Sequence, residues 1–361
     1  MIEVDTKRIE TLLQAMTRVG ASALHLVPGR NPALRVQRRF VVGDEAPVRG
    51  ECIDDFVHDL LFSDHREQLA RTGHVAVLYV AHSGSRYRVT VAEANGQTSV
   101  VIRPMPETPP QFDQLELPPQ VAGFTRCRSG LVLVGGFFGA GKSTTLAAIV
   151  EALNQDQGRH VMTIEDTIQY VHQDGPALLL QREVGTHVAS AADGIREAML
   201  IGVDVIVVGE LRDLAAVEAA LAAAESGCLV IGGVEAGSVV GAISEVVHLA
   251  AFEQRPRLRT RLARVLRGAT AQSLLNRTHS AGRVPVVEVL VGNLAVRQAI
   301  RRGALHELPG IMQRCRGLGM QSIDVALRQL LANHLVTPEE ASLHANEREE
   351  VVASPLPHHA R

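Results

Sequence analysis

The stretch from Leu131 to Thr145 reads Leu-Val-Leu-Val-Gly-Gly-Phe-Phe-Gly-Ala-Gly-Lys-Ser-Thr-Thr, and its reading decides the fold. Four apolar residues form a short buried strand. The run from Gly136 through Phe137, Phe138, Gly139 and Ala140 to Gly141, Lys142 and Ser143 then fits G-x-x-x-x-G-K-[ST], a phosphate-binding loop. Glycines are required because the backbone must curl until successive N–H groups point inward at the phosphates, and side chains there would block the approach. Leu146 to Leu153 continue as a helix whose positive N-terminal end faces the anion. In that geometry Lys142 reaches the β- and γ-phosphates of a nucleotide such as ATP, the Ser143 hydroxyl holds Mg²⁺, and Thr144 closes the loop.

Downstream, apolar strands alternate with helices: Val161–Ile164, a helix near Ala191–Leu200, Val205–Val208, an alanine-rich helix Leu214–Glu225, and Leu229–Ile231. Such alternation predicts an α/β domain with a mostly parallel, doubly wound sheet. Ligands in such sheets bind at the C-terminal strand ends, so the acids found there are the candidates for chemistry. Thr163-Ile164-Glu165-Asp166 closes one strand and Val207-Val208-Gly209-Glu210 another. Glu210 is read as the general base that polarises an attacking water, and Glu165 as support for the metal.

Before the loop, a helix over residues 6–19 and short β-rich runs at Ala23–Val27, His74–Val80, Arg86–Ala92 and Ser99–Arg103, with a helix near Ile53–Leu61, predict a small α+β domain with an antiparallel sheet. Six prolines between Pro104 and Pro119 exclude a continuous helix or central strand, so residues 104–123 read as a linker. From Arg257 the pattern is chiefly helical, interrupted by Val286–Leu290, and residues 346–361 read as a disordered tail.

The chain has 361 residues and a formal charge of −3, enough for two cores and no general reason to expect nucleic acid. Cys52, Cys127, Cys228 and Cys315 lie far apart without metal-ligand spacing and read as reduced thiols of a cytoplasmic protein. No signal peptide and no membrane-spanning run is expected. The dense basic stretch Arg255 to Arg267 lacks aromatic residues and reads more simply as a solvated or subunit-facing helix than as a nucleic-acid surface.

Several segments together carry a resemblance. They are Gly20-Ala21-Ser22-Ala23-Leu24-His25-Leu26, Arg128-Ser129-Gly130 leading into the loop, Thr163-Ile164-Glu165-Asp166, Gln181-Arg182-Glu183-Val184-Gly185 and Val208-Gly209-Glu210-Leu211-Arg212-Asp213. Ala295-Val296-Arg297-Gln298-Ala299-Ile300-Arg301, Gly303-Ala304-Leu305-His306-Glu307-Leu308 and Gly319-Met320-Gln321-Ser322-Ile323-Asp324 follow in the right order. From about residue 6 to 345 the chain resembles the PilT/PilU family of type IV pilus retraction ATPases, within the secretion-ATPase superfamily. The resemblance implies a PAS-like first domain over 1–103, a RecA-like ATPase domain over 124–290, a helical C-terminal region over 291–345 and a homohexameric ring, conceivable also as a mixed ring with a paralogue. It further implies ATP-driven withdrawal of pilin through an inner-membrane platform protein, hence peripheral attachment to that membrane. Ring ATPases complete each site with arginines of the next subunit, for which Arg86, Arg88 and Arg103 are candidates, with Arg196 and Arg212 behind them. His25 is expected to be a packed or interface residue and not a ligand.

The chain also departs from the family. In the His box, Ala224 to Ala236, both histidines are missing, with Cys228 and Glu235 in their places. Phe137-Phe138 replace Pro-Thr, Gln169 replaces an acid and Leu200 an arginine. An ionised glutamate accepts but cannot donate to a phosphoryl group. A second reading therefore stands beside the motor: a nucleotide-binding accessory subunit with little turnover, working with an active paralogue.

Overall fold

The structure is a computed structural model that describes residues 2–36, 39–43, 45–94, 96–106, 108–279, 282–348 and 351. It divides into two compact units, Met1–Glu107 and Thr108–Arg361.

The first unit opens with the helix Ile2–Arg18 and holds six strands: β1 (Ala23–Leu26), β2 (Ala33–Val36), β3 (Arg39–Val42), β4 (His74–Val80), β5 (Arg86–Ala94) and β6 (Gln97–Pro104). They pair antiparallel in the order β3-β2-β1-β6-β5-β4. Period-two alternation sends Leu24, Leu26, Val89, Val91, Val100 and Ile102 to one face, where Leu13 and Met16 of the first helix and Ile53 and Phe56 of the helix Gly50–Leu60 cover them. Strands β2 and β3 and the helix Ser63–Thr72 go beyond the sequence reading. All four residues of β3 are exposed and only Leu69 of that helix is buried, so neither element carries a burial period to detect.

The second unit contains β7 (Gly130–Gly135), β8 (His160–Glu165), β9 (Leu178–Glu183), β10 (Val205–Val208), β11 (Leu229–Val234), β12 (Leu266–Asn276) and β13 (Arg283–Val291), ordered β13-β12-β7-β11-β10-β8-β9. Six strands run parallel and β13 returns antiparallel beside β12. Every residue of β7, β10 and β11 is buried, because helices cover both faces. One face packs against the helices Ala191–Ile201, Leu214–Ser226, Val239–His248 and Arg255–Val265, and the other against Lys142–Asn154.

Three expectations change. The division between the units falls after Glu107, and much of the proline-rich stretch is part of the second unit: Phe112, Leu117, Val121 and Phe124 pack onto the same core as Val132 and Ile149. The region after Arg257 is helical only as far as Val265 and then turns to strand. The eleven residues of β12 continue the sheet, and their sequence, Leu-Arg-Gly-Ala-Thr-Ala-Gln-Ser-Leu-Leu-Asn, hides it because β-branched residues are nearly absent. The expected tail lies mostly outside the described residues, yet its beginning is ordered. The Asn346 N–H donates to Asp324 at 2.8 Å, and Val351 is fully buried with Leu275 and Leu327.

A buried acid ties the helical region to the sheet. Glu288 on β13 accepts the N–H of Val239 at 2.7 Å and that of Ile323, the first residues of the helices Val239–His248 and Ile323–Ala332. Burial pushes its pKa above the ordinary carboxylate value, opposed by those two N–H groups. The cost of ionised Glu288 is therefore absent at low pH, grows as pH rises through the raised pKa, and is full above it. Urea unfolding of wild type and Glu288→Gln checks this: the stability of wild type relative to the variant should rise as pH falls from about 7 to about 4.5, and the opposite slope would contradict the raised pKa.

Candidate active site

The loop after β7 adopts the curled backbone its glycines allow. Gly141 has φ of 87°, and a Cβ on Gly136 would meet the Cβ of Ala140 at 2.9 Å. Lys142 folds back over the loop and donates from Nζ to the Gly136 carbonyl at 2.6 Å. Ser143 is exposed to the cleft, and Phe138 is fully exposed, while Phe137 rests on Gly237. A buried residue outside the motif holds the loop from behind. Gln272 of β12 donates to the Ala140 carbonyl at 2.8 Å and accepts from Thr145 Oγ1 at 2.9 Å. The sequence reading missed Gln272, and the only signal was a polar residue inside an apolar run.

The loop opens onto a cleft of about 520 Å³ lined by Lys142, Ser143, Glu165, Asp166, Glu210 and Arg212, among others. Their convergence follows from register. β8, β10, β11 and β7 run parallel, so the residues after Ile164, Val208 and Val234 emerge beside the loop. Backbones come close there: the Leu211 N–H donates to the Gly233 carbonyl at 2.8 Å, and a Cβ on Gly233 would lie 2.1 Å from the Gly209 oxygen.

Glu165 accepts from Thr163 Oγ1 at 2.8 Å and from Gln181 Nε2 at 3.4 Å. Burial raises its pKa against those hydrogen bonds. Glu210 is bonded by Arg212 at 3.3 Å, and the same guanidinium grips Asp166 at 2.6 Å. Hydrogen bonding to Glu210, with the charges of Asp166, Glu210 and Glu235, raises the Arg212 pKa. Asp166 belongs to this group although it had been given no role. The segment between β8 and β9 straps the loop helix: Tyr170 Oη lies 3.3 Å from Thr144 Oγ1, and His172 Nδ1 lies 2.8 Å from Glu151. A hydroxyl and several carboxylate oxygens around one cleft are the hard donor set that Mg²⁺ takes together with nucleotide phosphates, so the residues fit that ion.

The two His-box positions separate. Glu235 follows β11 and is exposed on the loop side of the sheet. Cys228 precedes β11, where its carbonyl accepts the Gly130 N–H at 2.9 Å. Gly130 and Gly135 bound β7, so Cys228 lies roughly 17 Å from this subunit's own loop. Its thiol donates to the Val203 carbonyl at 3.3 Å. Of the two replacements, Glu235 alone stands at the loop edge of this subunit's sheet.

Arg86, Arg88 and Arg103 belong to the first unit, away from the helix-covered side of its sheet: Tyr87 between the first two is buried, and Arg88 stands directly across from Arg103. Like charges so placed repel. Arg103 and Arg35 also act on His25, whose pKa is lowered chiefly by burial, and His25 packs edge-on to Phe40 at 5.0 Å. Arg196 pairs with Asp193 at 2.8 Å. In the basic stretch, Arg261 and Arg264 share Glu225 and Arg267 Nε donates to the Ser129 carbonyl at 2.7 Å, so several of its cations serve the fold.

The chain is similar to known proteins over most of its length. Residues 77–317 match the family described as "Type II/IV secretion system protein". The type IV pilus retraction ATPase PilT of Pseudomonas aeruginosa is 31% identical over 333 residues, covering 92% of this chain and 96% of that protein. The type IV pilus ATPase PilU of the same organism is 30% identical, covering 93% and 88%. A crystal structure of the pilus retraction motor PilT with bound ADP superposes with a TM-score of 0.86 at 32% identity, over 95% of this chain and 98% of that one. The fold, the loop with its facing carboxylates and the extent of these matches make the chain a member of the Type II/IV secretion system protein family, among its PilT/PilU pilus retraction ATPases.

Proposed function

We propose that the chain is a Mg²⁺-dependent ATPase and the hexameric motor of a type IV pilus machine, driving pilus retraction and twitching motility. The observation that carries this reading is one cleft with Lys142 and Ser143 on one wall and Glu165 and Glu210 on the other. Relatives named for pilus retraction and one solved with ADP support the same reading. The loop N–H groups and Lys142 bind and orient the phosphates, while Ser143 and Glu165 would hold Mg²⁺, which when bound would supply positive charge against the phosphoryl oxygens. Glu210 accepts the proton of the attacking water. The first unit is the PAS-like domain of the family, and Arg86, Arg88 and Arg103 meet the nucleotide of a neighbouring subunit. Among the described residues no helix is long and apolar enough to cross a membrane. A platform protein at the inner membrane is the link to the pilus in this reading.

One observation favours the accessory reading: where the family carries a histidine, Glu235 sets a further negative charge that acts on Arg212, beside a cleft already lined by three carboxylates. Steady-state hydrolysis and nucleotide binding on the same preparations decide between the two. For the motor, wild type turns over ATP, Glu210→Gln loses about 10²-fold or more in kcat while still binding nucleotide, and Lys142→Ala loses binding itself. A wild type that binds ATP yet turns it over no faster than Glu210→Gln is the accessory subunit. Arg103→Ala should lower kcat by about tenfold or more while nucleotide affinity of the isolated subunit stays unchanged; an unaltered rate would remove Arg103 from the catalytic set.

A further inference from the structure

Lys142 and Arg212, two of the cations that line the cleft, are occupied by internal acceptors. Lys142 rests on the Gly136 carbonyl, and Arg212 bridges Asp166 and Glu210 at 2.6 and 3.3 Å. While Arg212 holds Asp166 and Glu210 it is not free to meet a phosphoryl group. The segments 209–212 and 233–235 run side by side, fixed by the Leu211 to Gly233 hydrogen bond and by the close approach of Gly233 to the Gly209 carbonyl. Glu235 therefore enters beside Arg212 from the strand next to the one that carries Glu210, and its charge acts on the guanidinium. Being exposed, Glu235 is free to change rotamer as the cleft fills.

We propose that Glu235 is a positioning residue that works through Arg212. It offers the guanidinium an alternative carboxylate, which loosens its grip on Glu210 and Asp166 and lets it turn to the terminal phosphoryl group of a bound nucleoside triphosphate. This deepens the functional reading above and rests on it. A bare negative charge beside the γ-phosphate would do the opposite and disfavour ATP. The two roles therefore differ in sign. Arg212 and Asp166 have side-chain exposures of 60% and 49%, so water screens the pair, and handing the guanidinium from one acceptor to another changes affinity by about two- to fivefold only.

The test measures ATP and ADP affinity in Mg²⁺ by competition with a fluorescent ADP analogue, on full-length wild type, Glu235→Gln, Arg212→Gln and the double variant. Only ATP offers the terminal phosphoryl group, so the ATP-over-ADP preference reports where Arg212 goes. Glu235→Gln should lower that preference about threefold while ADP affinity stays within about twofold. Arg212→Gln should lower it at least as far. In the Arg212→Gln background Glu235→Gln should raise it, because only repulsion is left to remove. A preference that rises or stays the same for Glu235→Gln alone overturns the proposal, as does a matching loss of ADP affinity, which would mean a merely structural role. A chain that binds neither nucleotide removes the functional reading and this inference together. Ordinary ADP binding with the wrong sign for ATP removes this inference alone.

Discussion

The parallel register of β8, β10, β11 and β7 is the constraint on which the rest of the second unit depends. Pairings such as Val208 with Ile164 and with Gly232 bring the strand ends to one edge of the sheet, so the phosphate loop, Glu165, Glu210 and Glu235 arrive together without any side chain having to reach far. Parallel strands need crossovers, and the helices that supply them bury both faces. That burial is why the strands read as unbroken apolar runs, and why chemistry is confined to the loops beyond their ends. Glycine at 233 serves the same constraint, since any Cβ there would strike the Gly209 carbonyl and push two of the four strand ends apart.

Polar side chains from outside the motif then lock this edge. Gln272 pins the loop to β12, Gln181 bonds both Glu165 and the Tyr170 carbonyl, and Glu288 binds the starts of two helices. In a buried setting such bonds are costly to leave half-made, so each residue fixes one arrangement of the elements it joins. Arg212 differs from these in being more than half exposed, with acceptors on two strand ends.

The first unit presents a different problem. One face of its sheet is covered by helices, and the other places Arg88 across from Arg103 with Arg86 on the same side. Burial of apolar surface explains the first face and leaves the second unexplained, because adjacent guanidinium groups repel.

The sequence by itself determined what local chemistry dictates. Only glycine tolerates the curled loop, so Gly136 to Ser143 announced the phosphate site, and strands buried on both sides announced themselves as apolar runs with Glu165 and Glu210 at their ends. Alternation likewise exposed most of the first unit's sheet. Tertiary structure alone decided what depends on partners distant in the chain. Strand β12 is extended because it pairs with β7 and β13, not because of its own residues, so it and Gln272 were invisible. The proline-rich stretch joins the second core because Phe112, Val121 and Phe124 find apolar surface there, which proline counting cannot reveal. Cys228 and Glu235 look equivalent in a linear motif, yet a six-residue strand between them carries one to each end of the sheet.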